Sequence, residues 1–357
     1  MATQEAYEDI LSELIDALMR ENGSDLHLSE GHRPTVRVAG SLLPLLRHQP
    51  LTAKDTEGIL EVLLSADNRK LFEENHEVDF SWGYGDKARF RGNAYVQRGS
   101  ISIALRLIPT VIRTIQDLHL PPILETFTKK EQGFFLVVGP VGQGKTTTLA
   151  AMIEMINQDR AEHIVTVEDP IEFLFESKKS IIDQREVRTD TRDFHTALTS
   201  VFRQDIDVLM VGEMRDPETI STAVTAAETG HLVFSTLHTN NAAQTIDRII
   251  ESFPPEEQGQ IRAQLSESLT GILSQRLIPR VSGGLVPAYE LLINNNAVSN
   301  LIRERRTHEI NTVIETGLDQ GMIDMNRCLA DLVRAGEITA EEAYAHTLDT
   351  KALKNLI

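Results

Sequence analysis

One short segment, rich in glycine and followed by lysine and threonine, restricts the possible folds of this chain more than any other. Residues 139–146 read Gly-Pro-Val-Gly-Gln-Gly-Lys-Thr and fit the phosphate-loop pattern. An apolar run at 134–138 precedes the segment and a helical segment follows it, which is the context that the pattern requires. Such a loop turns backbone N–H groups and a helix N-terminus onto phosphate groups. The segment predicts a nucleotide phosphate site on an α/β sheet.

The residues of this loop are the candidate nucleotide-binding set. They are Gly139, Pro140, Val141, Gly142, Gln143, Gly144, Lys145, Thr146 and Thr147. Lys145 supplies positive charge near the β- and γ-phosphates, and the Thr146 hydroxyl can ligate magnesium. We expect Lys145 to face solvent and Gln143 to add bulk beside the phosphates. A glycine turn with a chance lysine is the alternative, which the flanking strand and helix disfavour.

The second part of the chain alternates short apolar runs with helical segments. The runs lie at 134–138, 164–167, 208–211 and 232–236. Buried parallel strands between helices produce this pattern. A further helix is predicted to begin at the prolines 254–255 and to continue through Ile261, Leu265, Leu269 and Ile272. From residue 296 onward the pattern is helical to the end.

The first 110 residues have a different pattern. An amphipathic helix comes first, and alternating apolar and polar residues then predict strands, two of them at 88–97 and 101–107. Prolines bracket a segment with weak periodicity, which we interpret as a linker. The predicted organisation is an N-terminal α+β domain at 1–110, a linker at 111–122, an α/β core at 123–295 and a helical region at 296–357.

Charge and cysteine content limit the partners and the compartment. The 357 residues include 53 acidic and 35 basic side chains, for a formal charge of −18, which disfavours nucleic acid and anionic lipid. The basic cluster Arg303, Arg305 and Arg306 is a solvated helix end or a local basic groove. Cys328 is the single cysteine and fits a reducing compartment. With no signal-like or membrane-spanning run, we expect a cytoplasmic protein that reaches the membrane only through another protein.

Carboxylates follow two of the predicted strands. Glu213 comes directly after the strand at 208–211, where it can approach a magnesium-bound water at the edge of the sheet. Glu168, Asp169 and Glu172 follow the strand at 164–167. A general base for the attacking water requires such a position, although an acidic solvated loop would read the same way.

Two histidines and three arginines are weaker candidates for a catalytic role. His231 and His238 lie at opposite ends of the strand at 232–236, so a shared metal site is disfavoured. Arg89 and Arg91 lie on one face of a predicted strand, and Arg106 lies on the next. They are either residues of a solvated strand face or arginine fingers that neutralise a neighbouring subunit's γ-phosphate.

The order of these motifs resembles a known family. The segments that carry the resemblance are Ser-Asp-Leu-His-Leu-Ser at 24–29, Ala-Arg-Phe-Arg at 88–91, the phosphate loop, Val-Glu-Asp-Pro-Ile-Glu-Phe at 167–173, Gln-Arg-Glu-Val at 184–187, Val-Gly-Glu-Met-Arg-Asp at 211–216 and the two-histidine segment at 229–238. Together they resemble the type IV pilus retraction ATPases of the secretion ATPase superfamily. The resemblance covers nearly the whole chain.

The resemblance implies a fold, a reaction and partners. The fold would be a PAS-like N-terminal domain followed by a RecA-like ATPase core. It implies ATP and Mg²⁺ as ligands, Glu172 as the catalytic glutamate, Glu213 as the Walker B acid, and catalytic roles for His231, His238, Arg89, Arg91 and Arg106. It further implies a homohexamer that acts on pili through an inner-membrane platform protein, with a paralogous retraction ATPase as a possible partner.

Some positions depart from the pattern of that family. Val141, Gln143 and Thr146 stand where threonine, serine and serine are more usual. Gln204 and Ile206 replace an acid and a proline, and Ser299 replaces an arginine in the retraction signature at 297–304. An accessory paralogue and a weakly hydrolysing scaffold therefore stay open. An assembly or secretion ATPase is disfavoured by the single cysteine and the early start of the first domain, and a nucleic-acid translocase by charge.

Overall fold

The chain forms two compact units, residues 1–110 and 111–357. A computed structural model describes residues 4–38, 40–85, 87–109 and 111–357. The first unit has the bounds of the predicted N-terminal domain.

The first unit is an antiparallel sheet with helices packed on it. Its elements are α1 (Gln4–Arg20), β1 (Asp25–Ser29), β2 (Thr35–Val38), β3 (Ser41–Pro44), α2 (Ala53–Leu63), α3 (Ala66–Asn75), β4 (Glu77–Tyr84), β5 (Ala88–Gln97) and β6 (Ser100–Ile108). The strands lie in the order β3-β2-β1-β6-β5-β4. The apolar stripe of α1, with Leu14 and Leu18, packs on inward-facing strand residues such as Leu26 and Phe90.

The second unit is a mostly parallel sheet between helices. Its elements up to the end of the sheet are α4 (Leu124–Thr128), β7 (Gly133–Val138), α5 (Lys145–Asp159), β8 (His163–Glu168), β9 (Ile181–Glu186), α6 (Phe194–Val201), β10 (Val208–Val211), α7 (Pro217–Glu228), β11 (Leu232–Leu237), α8 (Ala242–Glu251), α9 (Gln258–Ser268), β12 (Leu269–Pro279) and β13 (Leu285–Ile293). The helices that follow are α10 (Asn296–Arg303), α11 (Ile310–Thr316), α12 (Met325–Arg334), α13 (Ala340–His346) and α14 (Thr350–Lys354). The α/β fold and the helical end of the chain are confirmed.

Strand order in this sheet decides which loops meet. The order is β13-β12-β7-β11-β10-β8-β9, and every pair from β12 to β9 is parallel. The four predicted apolar runs became β7, β8, β10 and β11. Nearly every residue of these four strands is buried, as strands covered by helices on both faces require.

In the segment 111–122, which we interpreted as a linker, Ile115 and Leu120 are buried in the core of the second unit. One expectation about an element boundary was wrong. The helix predicted to run through Leu269 and Ile272 ends at Ser268, and both residues belong to β12. Since β12 is buried on both faces, its apolar residues do not alternate with polar ones, and their spacing continued the helical pattern by coincidence.

Strand β12 also anchors the helical end of the chain. The Arg276 Nη1 atom donates to the His346 carbonyl at 2.7 Å, and the Arg280 Nε atom donates to Glu337 at 2.8 Å. Ile278, between them, is buried against Met325 and other residues of the C-terminal helices. Alternate residues at the end of β12 and just after it, 276, 278 and 280, therefore tie the sheet to α12, α13 and the loop between them.

In the described part of the chain, no helix has both the length and the apolar character needed to cross a membrane.

We predict that Gly271→Ala destabilises the second unit. The new Cβ would lie 2.8 Å from the Phe127 ring and 2.9 Å from the Leu292 carbonyl oxygen, at a point where the β12–β7 register is irregular. Overpacking of this kind costs about 1–3 kcal/mol. Urea unfolding monitored by circular dichroism measures the loss.

The matched control for this change is Gly259→Ala. Gly259 lies exposed in α9, and the new Cβ would meet open space. Because alanine is the better helix former, we expect stability to stay equal or to rise by up to about 1 kcal/mol. Equal stability of the two variants would contradict the packing described for Gly271.

Candidate active site

The phosphate loop joins the end of β7 to the start of α5. Gly139 packs against β12 so closely that a Cβ would lie 2.4 Å from the Gln275 carbonyl oxygen. Gly144 precedes the helix with φ of 75°, in the left-handed region that glycine adopts without strain. Helix α5 begins at Lys145, so its unpaired N–H groups and positive end face the loop. This arrangement binds anions.

Lys145 is buried, contrary to our expectation that it faces solvent. Only 7% of the residue is exposed. Its Nζ atom donates to the carbonyl oxygens of Gly139 and Pro140, each at 2.9 Å, and contacts His238 Nδ1 at 3.2 Å. Burial lowers the pKa of Lys145, while the carboxylates of Glu213 and Glu172 oppose that shift. The ammonium group is held inside the loop by three acceptors.

His238 links Lys145 to Glu213. Because the ammonium group can only donate, His238 Nδ1 accepts, and the ring proton lies on Nε2. Nε2 is 3.2 Å from Glu213 Oε1, and the Arg215 Nη2 atom donates to Glu213 Oε2 at 2.8 Å. The bond from Arg215 is the main reason that the pKa of Glu213 lies below its ordinary value. Glu213 is thus an ionised acid facing the lysine of the loop through one imidazole.

The acidic loop after β8 is organised by a buried carboxyl group. Glu168 is 3% exposed, and its oxygens accept from Thr166 Oγ1 at 2.7 Å, from Gln184 Nε2 at 3.2 Å and from the Glu172 N–H at 3.4 Å. Burial raises the pKa of Glu168 to about 7. Glu172 is exposed at the cleft. Glu168 therefore shapes the loop, and Glu172 is the accessible acid.

Gln184 on β9 fixes the outer part of the same loop. Its amide nitrogen donates to the Phe173 carbonyl at 2.8 Å, and its amide oxygen accepts from the Phe175 N–H at 2.9 Å. These two bonds and the one to Glu168 hold the segment that carries Glu172.

The strand ends of β7, β8, β10 and β11 surround one cleft of about 430 Å³. The predicted site residues that line it are Val141, Gly142, Gln143, Gly144, Lys145, Thr146, Thr147, Glu172, Glu213 and His238. Gly139 and Pro140 contribute through the carbonyl oxygens that hold Lys145. The structure brings nearly all of the predicted set in the second unit together.

His231 lies elsewhere. It directly precedes β11, at the opposite end of that strand from His238, as the spacing predicted. Its Nδ1 atom is 3.0 Å from the Ala226 carbonyl oxygen, and its ring lies 5.9 Å from that of Phe202, centroid to centroid. Within one subunit, His231 is not part of the cleft.

The three candidate arginines belong to the first unit. Arg91 on β5 is the cross-strand neighbour of Arg106 on β6, which in turn is the neighbour of Asp25 on β1. Asp25 accepts from Arg106 Nε at 2.8 Å, and Arg89 lies two residues from Arg91 on the same face. One sheet face thus carries a row of arginines with a buried aspartate among them.

The cleft fits a magnesium ion that is held mainly by phosphate. Among the described residues, no group of three or more histidine, cysteine or carboxylate side chains could hold a metal by itself. Magnesium in nucleotide sites keeps several waters and takes few protein ligands in addition to phosphate oxygens. The Thr146 hydroxyl and the ionised Glu213 carboxylate, both lining the cleft, match that mode.

Three residues that matter to the site were not assigned roles from the sequence. Arg215 and Gln184 stand inside motifs that we quoted, but nothing in their spacing shows which carboxylate or carbonyl they contact. Gln275, which packs against the loop, lies on a strand that we did not predict. Only the sheet order, in which β12 lies next to β7, brings it to the phosphate loop.

A phosphate loop at the end of one strand, with an acid two strands away in the same parallel sheet, defines the phosphate-loop nucleotide-binding proteins. The model of the type II/IV secretion system protein family matches residues 2–317, and the chain belongs to that family.

Relatives of known function support a narrower placement. The chain is 44% identical to the type IV pilus retraction ATPase PilT of Pseudomonas aeruginosa, over 93% of this chain and 96% of the relative. It is 38% identical to the type IV pilus ATPase PilU of the same organism, over 96% and 90%. A crystal structure of the pilus retraction motor PilT with bound ADP superimposes with a TM-score of 0.90 at 45% identity, covering 96% of this chain and 98% of that one. The predicted resemblance is confirmed.

We predict that the stability of Glu168→Gln relative to the wild type rises as pH increases from about 4.5 to about 7. The pKa of the buried acid is about 7, against an ordinary value of 4.5, so the folded state resists ionisation that the unfolded state undergoes freely. The wild type loses this contribution across that window, and glutamine has no proton to lose. Urea unfolding of both proteins at several pH values measures the difference.

If the difference in unfolding free energy between Glu168→Gln and the wild type did not change from about pH 4.5 to about 7.5, the raised pKa of Glu168 would be contradicted. Glu290, another buried acid with a pKa of about 7, is present in both proteins and cancels in the comparison.

Proposed function

We propose that this protein is a hexameric ATPase that hydrolyses ATP to ADP and phosphate and thereby powers the retraction of type IV pili. Two observations carry the proposal. The chain is 44% identical to a pilus retraction ATPase over nearly its full length, and its cleft contains the lysine and the acids that the resemblance to that family implies. Its identity to PilT exceeds its identity to PilU, 44% against 38%.

ATP would lie across two adjoining cavities of the second unit. The phosphates occupy the cleft at the loop. The base and ribose occupy a second cavity of about 510 Å³, which shares Gly144 and Thr147 with the first. Leu118, Leu285 and Pro287 give that cavity an apolar wall, and Arg113 and His119 supply polar groups. Mixed walls of this kind suit a flat base with polar edges.

Binding requires Lys145 to exchange partners. Its ammonium group leaves the Gly139 and Pro140 carbonyl oxygens for phosphate oxygens, and His238 Nδ1 becomes available to a new donor. Magnesium held by Thr146 and by Glu213, directly or through water, would neutralise phosphate charge. Glu172 accepts the proton of the attacking water, since it is the acid of the β8 loop that is exposed at the cleft.

The arginines of the first unit act in trans. Arg89, Arg91 and Arg106 lie on the same sheet face, with Asp25 as the acid paired to Arg106. Such a positive face suits the γ-phosphate of a neighbouring subunit in a closed ring. The ring works in the cytoplasm against an inner-membrane platform protein. A catalytic role for His231 would likewise have to be exerted across a subunit interface.

An accessory retraction role is the second candidate, and Ser299 supports it. The Ser299 hydroxyl donates to the Ser266 carbonyl at 2.8 Å, so α10 is tied to the end of α9 where the retraction signature has an arginine. The relative PilU shows that the family contains more than one pilus ATPase. Deletion of the gene distinguishes the two roles. If the protein is the main motor, its loss leaves cells with excess pili and no surface motility. If it is an accessory ATPase, pilus number and surface motility stay largely unchanged.

We predict that Glu172→Gln binds ATP like the wild type but hydrolyses it about 10²- to 10⁴-fold more slowly, because an amide cannot take the proton of the water. Single-turnover hydrolysis and ATP titration measure the two effects. Weak binding with normal single-turnover cleavage would show Glu172 to be structural. Lys145→Ala serves as the comparison, with binding itself lost.

We predict that Arg89→Ala and Lys145→Ala, each inactive alone, recover part of the activity when mixed. The loop of an Arg89→Ala subunit then meets the arginine of a Lys145→Ala subunit. Steady-state ATPase activity of mixed rings measures the recovery, and wild-type activity should rise steeply with concentration until rings form. Dilute monomers as active per subunit as rings would contradict the action in trans.

A further inference from the structure

We expected Gln143 to add bulk beside the phosphates, and it does line the cleft, but its side-chain oxygen is used by β12. Its side chain bonds to β12: the amide oxygen accepts from the Leu277 N–H at 2.7 Å. Its own carbonyl oxygen accepts from the Gln275 Nε2 atom, also at 2.7 Å. The middle of the phosphate loop is therefore bonded twice to the neighbouring strand.

Gln275 extends this connection to helix α5. It is 2% exposed, and its amide oxygen accepts from the Thr148 hydroxyl at 2.7 Å. Loop, strand and helix are thus joined by three short hydrogen bonds through two glutamine side chains. We call Gln143, Gln275 and Thr148 the glutamine bridge.

The loop needs such support because of its composition. Gly142 and Gly144 flank Gln143 with φ of 76° and 75°. Glycines have the largest conformational freedom in an unconstrained chain, so a loop built on them loses much entropy when it orders around a ligand. Bonds that order the loop beforehand remove part of that cost from the binding step.

We propose that Gln143 and Gln275 are positioning residues, which hold the phosphate loop in its nucleotide-binding shape before nucleotide arrives. The inference rests on the proposed nucleotide binding. The Gln143 side-chain oxygen accepts from the Leu277 N–H of β12 and is therefore not available to a ligand. Phosphate is recognised by the backbone N–H groups of the loop and by Lys145. Serine, the more usual residue here in retraction ATPases, is too short to bridge the same distance to Leu277.

The first test replaces Gln143 by methionine, which keeps the length but lacks the acceptor. We expect the Kd for a fluorescent ADP analogue and the KM for ATP to rise about five- to tenfold, as loss of one well-formed hydrogen bond allows, with kcat within about twofold. The thermal midpoint of the nucleotide-free hexamer should stay near that of the wild type. The control is Gln260→Met, the same exchange at an exposed position of α9, which should change none of these values.

The second test separates the bond from other effects of the exchange. In Gln143→Glu an oxygen still accepts from the Leu277 N–H, and the added charge opposes phosphate. Because salt screens that charge, ADP affinity of this variant should approach the wild-type value, measured at the same salt, as ionic strength rises, whereas the methionine variant keeps its deficit.

A double-mutant cycle tests the bridge as a unit. Gln275→Met should weaken ADP binding by a similar factor, and the double variant should lose less than the product of the two factors. Wild-type ADP affinity in Gln143→Met would overturn the inference, as would a fall in kcat with unchanged KM, since that pattern belongs to a group that contacts the reacting atoms. Failure of the wild type to bind ADP would overturn the proposed function, and the inference with it.

Discussion

The parallel hydrogen-bond register of β7, β11, β10 and β8 brings their carboxyl ends to one edge of a single sheet. Each strand contributes one part of the site: the phosphate loop, His238, Glu213 and the acidic loop with Glu172. A shift by one residue in any of these pairings would move every side chain of a buried strand to the opposite face of the sheet. The burial of nearly all of their residues, as well as the hydrogen bonds, therefore holds these groups in place.

Within that frame, groups of the protein itself satisfy the most costly group of the cleft, the Lys145 ammonium. A buried ammonium group without acceptors would lose its proton or destabilise the fold. Lys145 instead has two loop carbonyl oxygens and an imidazole, and the imidazole leads to an ionised carboxylate. A phosphate group has to compete for Lys145 with these partners, because the ammonium group is already hydrogen-bonded within the protein. Selectivity for a strongly anionic ligand follows, because a weaker acceptor could not compensate for the three bonds that are lost.

Local pattern predicted most of this architecture, and the failures have a common physical origin. The buried strands were predicted because short apolar runs between helical segments are typical of strands covered on both faces, and the glycine pattern located the loop. Strand β12 was missed because it directly follows α9, where Leu269 and Ile272 continue the helical spacing, and because polar residues at 274–276 interrupt its apolar run. Gln275 was missed together with β12, because its contacts depend on β12 lying next to β7 in the sheet. The burial of Lys145 and the orientation of Gln143 likewise depend on groups 93 and 134 residues away in sequence, and no local spacing encodes those contacts.

Strand β12 has one property whose consequence is mechanical. Its side chains alternate, so Gln275 supports the nucleotide loop while the adjacent Arg276 holds the C-terminal helices through His346. A single peptide unit separates the two attachments, and peptide units are stiff. Because Gln275 and Arg276 are adjacent, the phosphate loop and the C-terminal helices are hydrogen-bonded to neighbouring residues of the same strand. A displacement of the phosphate loop that moves this part of β12 would therefore also act on the bond from Arg276 to the C-terminal helices.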